Sequence, residues 1–325
     1  MVFTNGQVSI WADYLDREFL NGEFKQLVDK GIVTGITSNP AIFATAFQKG
    51  IYKDEVAKIS KKVGSEKEIF KTIGIKELQR ACDILLPIYH KTGGWDGYAS
   101  IEVDPNLIED WKGTVEEGLE LWNRIGRPNL MIKIPANSPG YRAMEILSQK
   151  GVNINATLVF SPTQALQAYK AISAGKGRGV ISIFVSRFDR KLNPILRTKG
   201  LATDRIGFFN GIKIYNLIRA EGTEQIRPLF ASTGVKQEGL PVDYYVRNLY
   251  LPEAILTLPL EVLNRIIGEE LEESFLFQTK HIDAFFGFLT PAGINLSQIY
   301  SQLFKEGVEA FQTAFAQMLE RLKES

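Results

Sequence analysis

Residues 127 to 137 read RPNLMIKIPAN, and the phase of this stretch decides how the chain is read. Leu130, Ile132 and Ile134 alternate with Met131 and Lys133, the period of a strand with branched aliphatics on one face and a lysine on the other. A charged side chain is rarely buried without a reason. Burial disfavours the ammonium form and lowers the pKa of the amine. That matters because a lysine at its ordinary pKa is neutral only about once in a few thousand molecules at pH 7. A partly dry pocket is therefore one way to make a lysine a usable nucleophile. From this segment alone two readings stay open: an activated amine, or a lysine that snorkels or pairs at a strand end.

Working outward, short β-branched runs recur along the chain. Strands are expected at 7–13, 31–38, 97–104, 129–135, 151–160, 179–187, 228–234 and 254–259. Amphipathic stretches such as YLDREFLNGEFKQLVDK, NLIEDWKGTVEEGLELWNRI and SPTQALQAYKAIS lie between them. Eight alternations of strand and helix predict a single α/β domain over residues 1–325, a (β/α)8 TIM barrel, with a doubly wound open sheet as the runner-up. Two segments exceed a minimal barrel: a mainly helical insertion at 41–96, and further helices at 260–325. In the last of these, Ile299, Leu303, Val308, Phe311, Phe315, Leu319 and Leu322 form one apolar face, expected to pack on the barrel, with a homodimer contact as the second reading. The aromatics Phe275, Phe277, Phe285, Phe286 and Phe288 are expected in the core first and at an interface second.

The census of residue types removes several chemistries. With 38 basic and 37 acidic residues there is no nucleic-acid footprint, so any phosphate recognition is local. The single cysteine, Cys82, excludes an internal disulfide and fits a reducing cytoplasm. The N-terminus MVFTNGQVSIWAD has no secretory pattern, and no apolar run reaches membrane-spanning length. Two histidines, His90 and His281, cannot supply a three-histidine zinc site; both sit in helical contexts and no GxSxG elbow accompanies them. No metal and no cofactor is expected. The glycine-rich GKGRG at 175–179 follows a helix and precedes a strand, the reverse of a dinucleotide fingerprint, and reads as a connecting loop.

Polar groups collect on one phase of the strands. Ile101 and Val103 oppose Glu102; Ile154, Ala156 and Leu158 oppose Asn153, Asn155 and Thr157; Ile181, Ile183 and Val185 oppose Ser182, Phe184 and Ser186. With the apolar phase toward the helices, Lys133, Glu102, Asn155, Thr157, Ser182 and Phe184 point into the barrel. Asp13 closes the first strand and Asn39 follows the second. Barrel active sites form at strand C-termini, where these residues fall. Lysine imine formation with a carbonyl substrate, assisted by carboxylates, is the chemistry that fits.

The blocks TSNPAIF (37–43), TGGWDGYASIEVDP (92–105), RPNLMIKIPA (127–136), VNINATLVFS (152–161), SIFVSRFD (182–189) and ASTGVK (231–236) carry a resemblance. In this order and over nearly the whole chain, the sequence resembles the transaldolase family in its longer bacterial form. The resemblance implies transfer of a dihydroxyacetone unit from sedoheptulose 7-phosphate to glyceraldehyde 3-phosphate, giving erythrose 4-phosphate and fructose 6-phosphate, within the pentose phosphate pathway. It implies Lys133 as the Schiff-base nucleophile and Glu102 as acid and base through a water held by Thr157. It implies Asp13 as the acid and base for carbon–carbon cleavage. Asn39, Asn155 and Ser182 match the positions that hold the hydroxyls of the three-carbon unit, Phe184 lies beside them, and Arg187 and Ser232 match phosphate-binding positions. Related fructose 6-phosphate aldolases carry glutamine and tyrosine where this chain has Glu102 and Phe184, which favours transfer over release. After Ser232 this chain reads TGVKQEGLP, without the second arginine of shorter transaldolases, which leaves Lys236 as the candidate for that charge. A Schiff-base aldolase is the alternative enzyme, and a sugar-phosphate-binding barrel without turnover the non-enzyme reading.

Overall fold

Apart from Leu158 and Ser186, the apolar phases picked out above face the helices and the polar phases face the inside of a closed sheet. The computed structural model describes residues 8–237 and 239–324, so Gln7, at the start of the first expected strand, lies outside the described residues. The strands are β1 (Ser9–Ala12), β2 (Gly35–Thr37), β3 (Ala99–Glu102), β4 (Leu130–Pro135), β5 (Ile154–Val159), β6 (Gly179–Phe184), β7 (Ile226–Ala231) and β8 (Ile255–Leu258). All neighbours run parallel, and β1 pairs with both β2 and β8. That last pairing closes the barrel and removes the open-sheet alternative. Ile36, Ile101, Ile132, Ile134, Ile154, Ile181 and Leu256 are fully buried, as strands covered by helices require.

Local signals explain how strands hand over to helices at the mouth. Asn39, Asn137 and Ser161 each precede a helix with proline in its first turn, and each side chain accepts a backbone N–H of that turn. Ser161 and Gln164 complete a capping box. At the opposite end the GKGRG segment is a connecting loop, as expected. A Cβ on Gly175 or Gly177 would lie 2.0 Å from backbone atoms of Ser148 or Val152, so glycine is what lets this loop press against its neighbour.

Several expectations are corrected. The seventh strand begins at Ile226 rather than 228, which brings Arg227 into the barrel. The sixth ends at Phe184, because Ser186 already opens the helix Ser186–Thr198. Leu158 does not share the face of Ile154 and Ala156. The β5–β6 register shifts between Ala156 and Val159, Leu158 takes a φ of 56°, and its side chain turns to the mouth against Gly307.

The two additional segments meet one another. The insertion supplies the helices Pro40–Gln48, Lys53–Ile59 and Glu66–Lys91. The helix Leu296–Glu324 packs against the first and third of these and across the mouth rather than on the outer ring: Phe70 makes edge contacts with Phe43, at 5.0 Å between centroids, and with Phe315, at 5.8 Å. The aromatic cluster divides. Phe286 is buried and Phe277 and Phe285 half-buried, whereas Phe275 and Phe288 are exposed, on a segment with too little chain around it to cover them. No helix among the described residues is long and apolar enough to cross a membrane.

Candidate active site

Strand register assembles the mouth. Glu102 on β3 lies beside Lys133 on β4, and Lys133 beside Asn155 on β5. The lysine Nζ is 3.6 Å from Glu102 Oε2 and donates to the Ser38 carbonyl at 3.2 Å. Both groups of the pair are buried. Among the described residues neither Glu102 oxygen has a hydrogen-bond partner, and neither does the buried Thr157 Oγ1. Burial pushes the Glu102 carboxyl up to about 7, with the Lys133 ammonium pulling the other way. Buried polar atoms are nearly always paired, so this trio without partners is unusual among side chains held in such regular strands.

Asp13 sits one residue past β1, its N–H bonded to Leu258 O at 2.8 Å. Thr37 Oγ1 donates to its Oδ1 at 2.9 Å. Burial raises its pKa, opposed by the Lys133 charge and the Thr37 hydrogen bond. Asn155 is fixed at both ends of its amide, donating to Ser100 Oγ at 3.1 Å and accepting from Ser182 Oγ at 2.7 Å. Asn39 does two jobs: its Oδ1 caps Ile42 N at 3.0 Å while the residue lines the cavity.

A cavity of about 120 Å³ lies above these groups, walled by Asp13, Thr37, Asn39, Lys133, Ser182, Phe184, Arg187, Ser232, Thr257 and Phe311. Glu102 faces an adjoining crevice beside Asn39, Phe43 and Phe315. Arg187, in the first turn of its helix, stacks its guanidinium 5.2 Å from the Phe184 ring centroid. Among the described residues it makes no hydrogen bond or ion pair, and burial together with Arg190 pulls its pKa down. A half-buried guanidinium with free donors at a cavity mouth is suited to an anion. Ser232 follows β7 with φ 57°, its hydroxyl 2.9 Å from that of Ser186. Non-glycine residues pay on the order of 1 kcal/mol for this backbone, and Leu158 and Ser232 both do so at the mouth.

Of the residues expected from sequence, Asp13, Asn39, Lys133, Ser182, Phe184, Arg187 and Ser232 line this cavity, Glu102 lines the adjoining crevice, Asn155 is bonded to Ser182, and Thr157 lies two residues beyond Asn155 on β5. Lys236 does none of these: it is exposed on the loop after β7 and forms no part of the wall. Thr37, Ser38, Ser100, Thr257 and Phe311 were missed. Alternation carried the signal for Ser100, two residues before Glu102, and for Thr37 and Thr257, which share the inward phase of their strands. Phe311 had no such signal, since it is one apolar residue among many on a distant helix. Both histidines are exposed on helices, away from the mouth.

The arrangement is that of a barrel enzyme whose cavity offers an amine between two carboxyl groups. Comparison with known proteins narrows the class. The family model for Transaldolase/Fructose-6-phosphate aldolase matches residues 10–322, and the chain belongs to that family. It is 37% identical to the transaldolase of Helicobacter pylori strain P12, over 96% of this chain and 98% of that one. It is 36% identical to the transaldolase of Campylobacter jejuni strain RM1221, over 97% of this chain and 99% of that one.

Proposed function

We propose that this chain is a transaldolase, moving a dihydroxyacetone unit between sugar phosphates through an imine on Lys133. The observation that carries the reading is the buried lysine at 3.6 Å from a carboxylate whose two oxygens have no hydrogen-bond partner among the described residues. In a purely structural ion pair those oxygens would be satisfied.

Lys133 as the free amine adds to the ketone carbon of sedoheptulose 7-phosphate. The carbinolamine loses water with Glu102 moving the protons, through a water that the Thr157 hydroxyl holds. A carboxyl at about 7 can give and take a proton near neutrality, which suits that exchange. Asp13 then removes the proton from the hydroxyl beside the bond to be broken. That bond's electrons flow into the iminium, and erythrose 4-phosphate leaves. The raised Asp13 pKa makes it a competent base that can return the proton when glyceraldehyde 3-phosphate is attacked. Water then releases fructose 6-phosphate and restores the amine. Asn39, Asn155 and Ser182 hold the hydroxyls of the three-carbon unit beside Phe184, and the phosphate reaches Arg187 and Ser232. Lys236, outside the wall, serves at most as a long-range positive charge on the rim.

The reading rests on family membership together with Glu102 and Phe184, and the simple aldolase alternative is not favoured. A coupled assay tests it. Fructose 6-phosphate with erythrose 4-phosphate should yield glyceraldehyde 3-phosphate, with little free dihydroxyacetone when the acceptor is omitted. Equal turnover without acceptor would overturn transfer in favour of cleavage.

A further inference from the structure

The C-terminal helix contributes a wall that no barrel strand supplies. Three residues at four-residue spacing, Gly307, Phe311 and Phe315, bring one face of that helix onto the mouth. A Cβ at Gly307 would lie 2.8 Å from Leu158 Cδ2 and 3.1 Å from Arg187 Nη1, so the helix passes close over both side-chain ends at this point. Phe315 locks against Phe70, and Phe311 between them lines the cavity with its ring centroid 5.8 Å from Lys133 Nζ. Polar contacts hold the helix along its length: Tyr300 Oη donates to Asn210 Oδ1 at 3.0 Å, Lys191 pairs with Glu306 at 2.5 Å, and Gln312 Nε2 reaches Pro105 O at 3.3 Å.

Building on the proposed imine chemistry, we infer that Phe311 determines the fate of the covalent three-carbon intermediate. After cleavage the intermediate is an enamine on Lys133. Attack on an aldehyde completes transfer. Protonation at its nucleophilic carbon regenerates an iminium, water adds to that iminium, and the carbon–nitrogen bond breaks. The second route consumes one water in total and releases dihydroxyacetone and the free amine, since the proton taken up at carbon is returned as the carbinolamine forms and collapses. A phenyl ring over the amine denies water that side of the intermediate. Phe311 therefore holds the three-carbon unit until an acceptor arrives. This is a specificity role played from outside the barrel.

The full-length chain with Phe311→Ala and Phe311→Leu tests this. The readout is the ratio of dihydroxyacetone released from fructose 6-phosphate alone to transfer onto erythrose 4-phosphate. Phe311→Ala should raise that ratio about tenfold and Phe311→Leu about two- to threefold, with transfer KM changing less than the ratio. A ratio at the parent value in a folded Phe311→Ala, with both rates falling together, overturns the inference. If that variant does not fold, an unchanged ratio in Phe311→Leu overturns it equally. Loss of transfer in the parent chain would instead remove the proposed function. Parent transfer with an unmoved variant ratio removes only the role of Phe311.

Discussion

An arginine–aspartate pair closes the floor of the barrel, and a lysine–glutamate pair sits at its mouth. Arg227 Nη1 lies 3.9 Å from Asp96 Oδ2, and Lys133 Nζ lies 3.6 Å from Glu102 Oε2. All four groups are buried. The hydrogen bonding around them is opposite. On the floor, Arg227 donates to Ser9 Oγ at 2.7 Å and to the carbonyls of Glu253 and Trp95 at 3.0 Å, and stacks 4.5 Å from the Trp95 ring. Asp96 accepts from Trp11 Nε1 at 2.8 Å, from Gly97 N at 2.9 Å and from Ser9 Oγ. At the mouth Lys133 donates to one carbonyl, and beyond the ion pair Glu102 has no hydrogen-bond partner among the described residues. A buried pair tolerates desolvation only when its remaining lone pairs and protons are satisfied. The floor meets that condition. The mouth leaves its oxygens available, as chemistry on a bound substrate requires.

The contrast is easiest to break with single substitutions. Lys133→Ala should lower kcat/KM by about 10³–10⁴-fold or more, since the nucleophile is lost, while the thermal midpoint moves little. Arg227→Met should do the reverse. Stranding Asp96 should cost about 3–5 kcal/mol in denaturant unfolding, with the activity per folded molecule largely retained. An Arg227→Met variant as stable as the parent would erase the distinction between floor and mouth.

Glu102→Gln sharpens the same point. It should lower kcat by about 10²–10³-fold. Stability carries a second signature. In the folded chain the Glu102 carboxyl keeps its proton up to about pH 7, against an ordinary value of 4.5. The folded state therefore binds more protons than the unfolded state across that window, and stability falls as pH rises through it. The glutamine variant should lose this slope in unfolding curves taken between those limits and be no less stable than the parent at pH 8. Thr37→Val has the smallest expected effect. Without that hydrogen bond the Asp13 pKa rises further, and the acid limb of the kcat/KM profile should move to higher pH with a kcat loss under about tenfold.

Much of the barrel was legible because period two is a local property. Lys133 and Glu102 stood out as charges inside branched aliphatic runs, and alternation placed them on one face without a partner in view. The floor pair is not legible in the sequence, because Pro228 reads as a strand start and hides Arg227, the second residue of β7. Leu158 was misplaced because a register shift leaves no mark in an apolar run. The C-terminal helix showed which face is apolar, but a stripe of Phe and Leu does not say what it covers. Over the mouth it meets Leu158 and Arg187 at Gly307 and Phe70 of the insertion at Phe315, contacts between segments far apart in sequence. Composition places Phe275 and Phe288 in the core first and at an interface second, and both are exposed on this chain.

The most direct test of an amine working at the barrel mouth is to trap it. Borohydride added with fructose 6-phosphate to the active chain should leave a three-carbon adduct on one tryptic peptide, the one containing Lys133, found by mass. An adduct on any other lysine, or active protein without an adduct, would contradict the account.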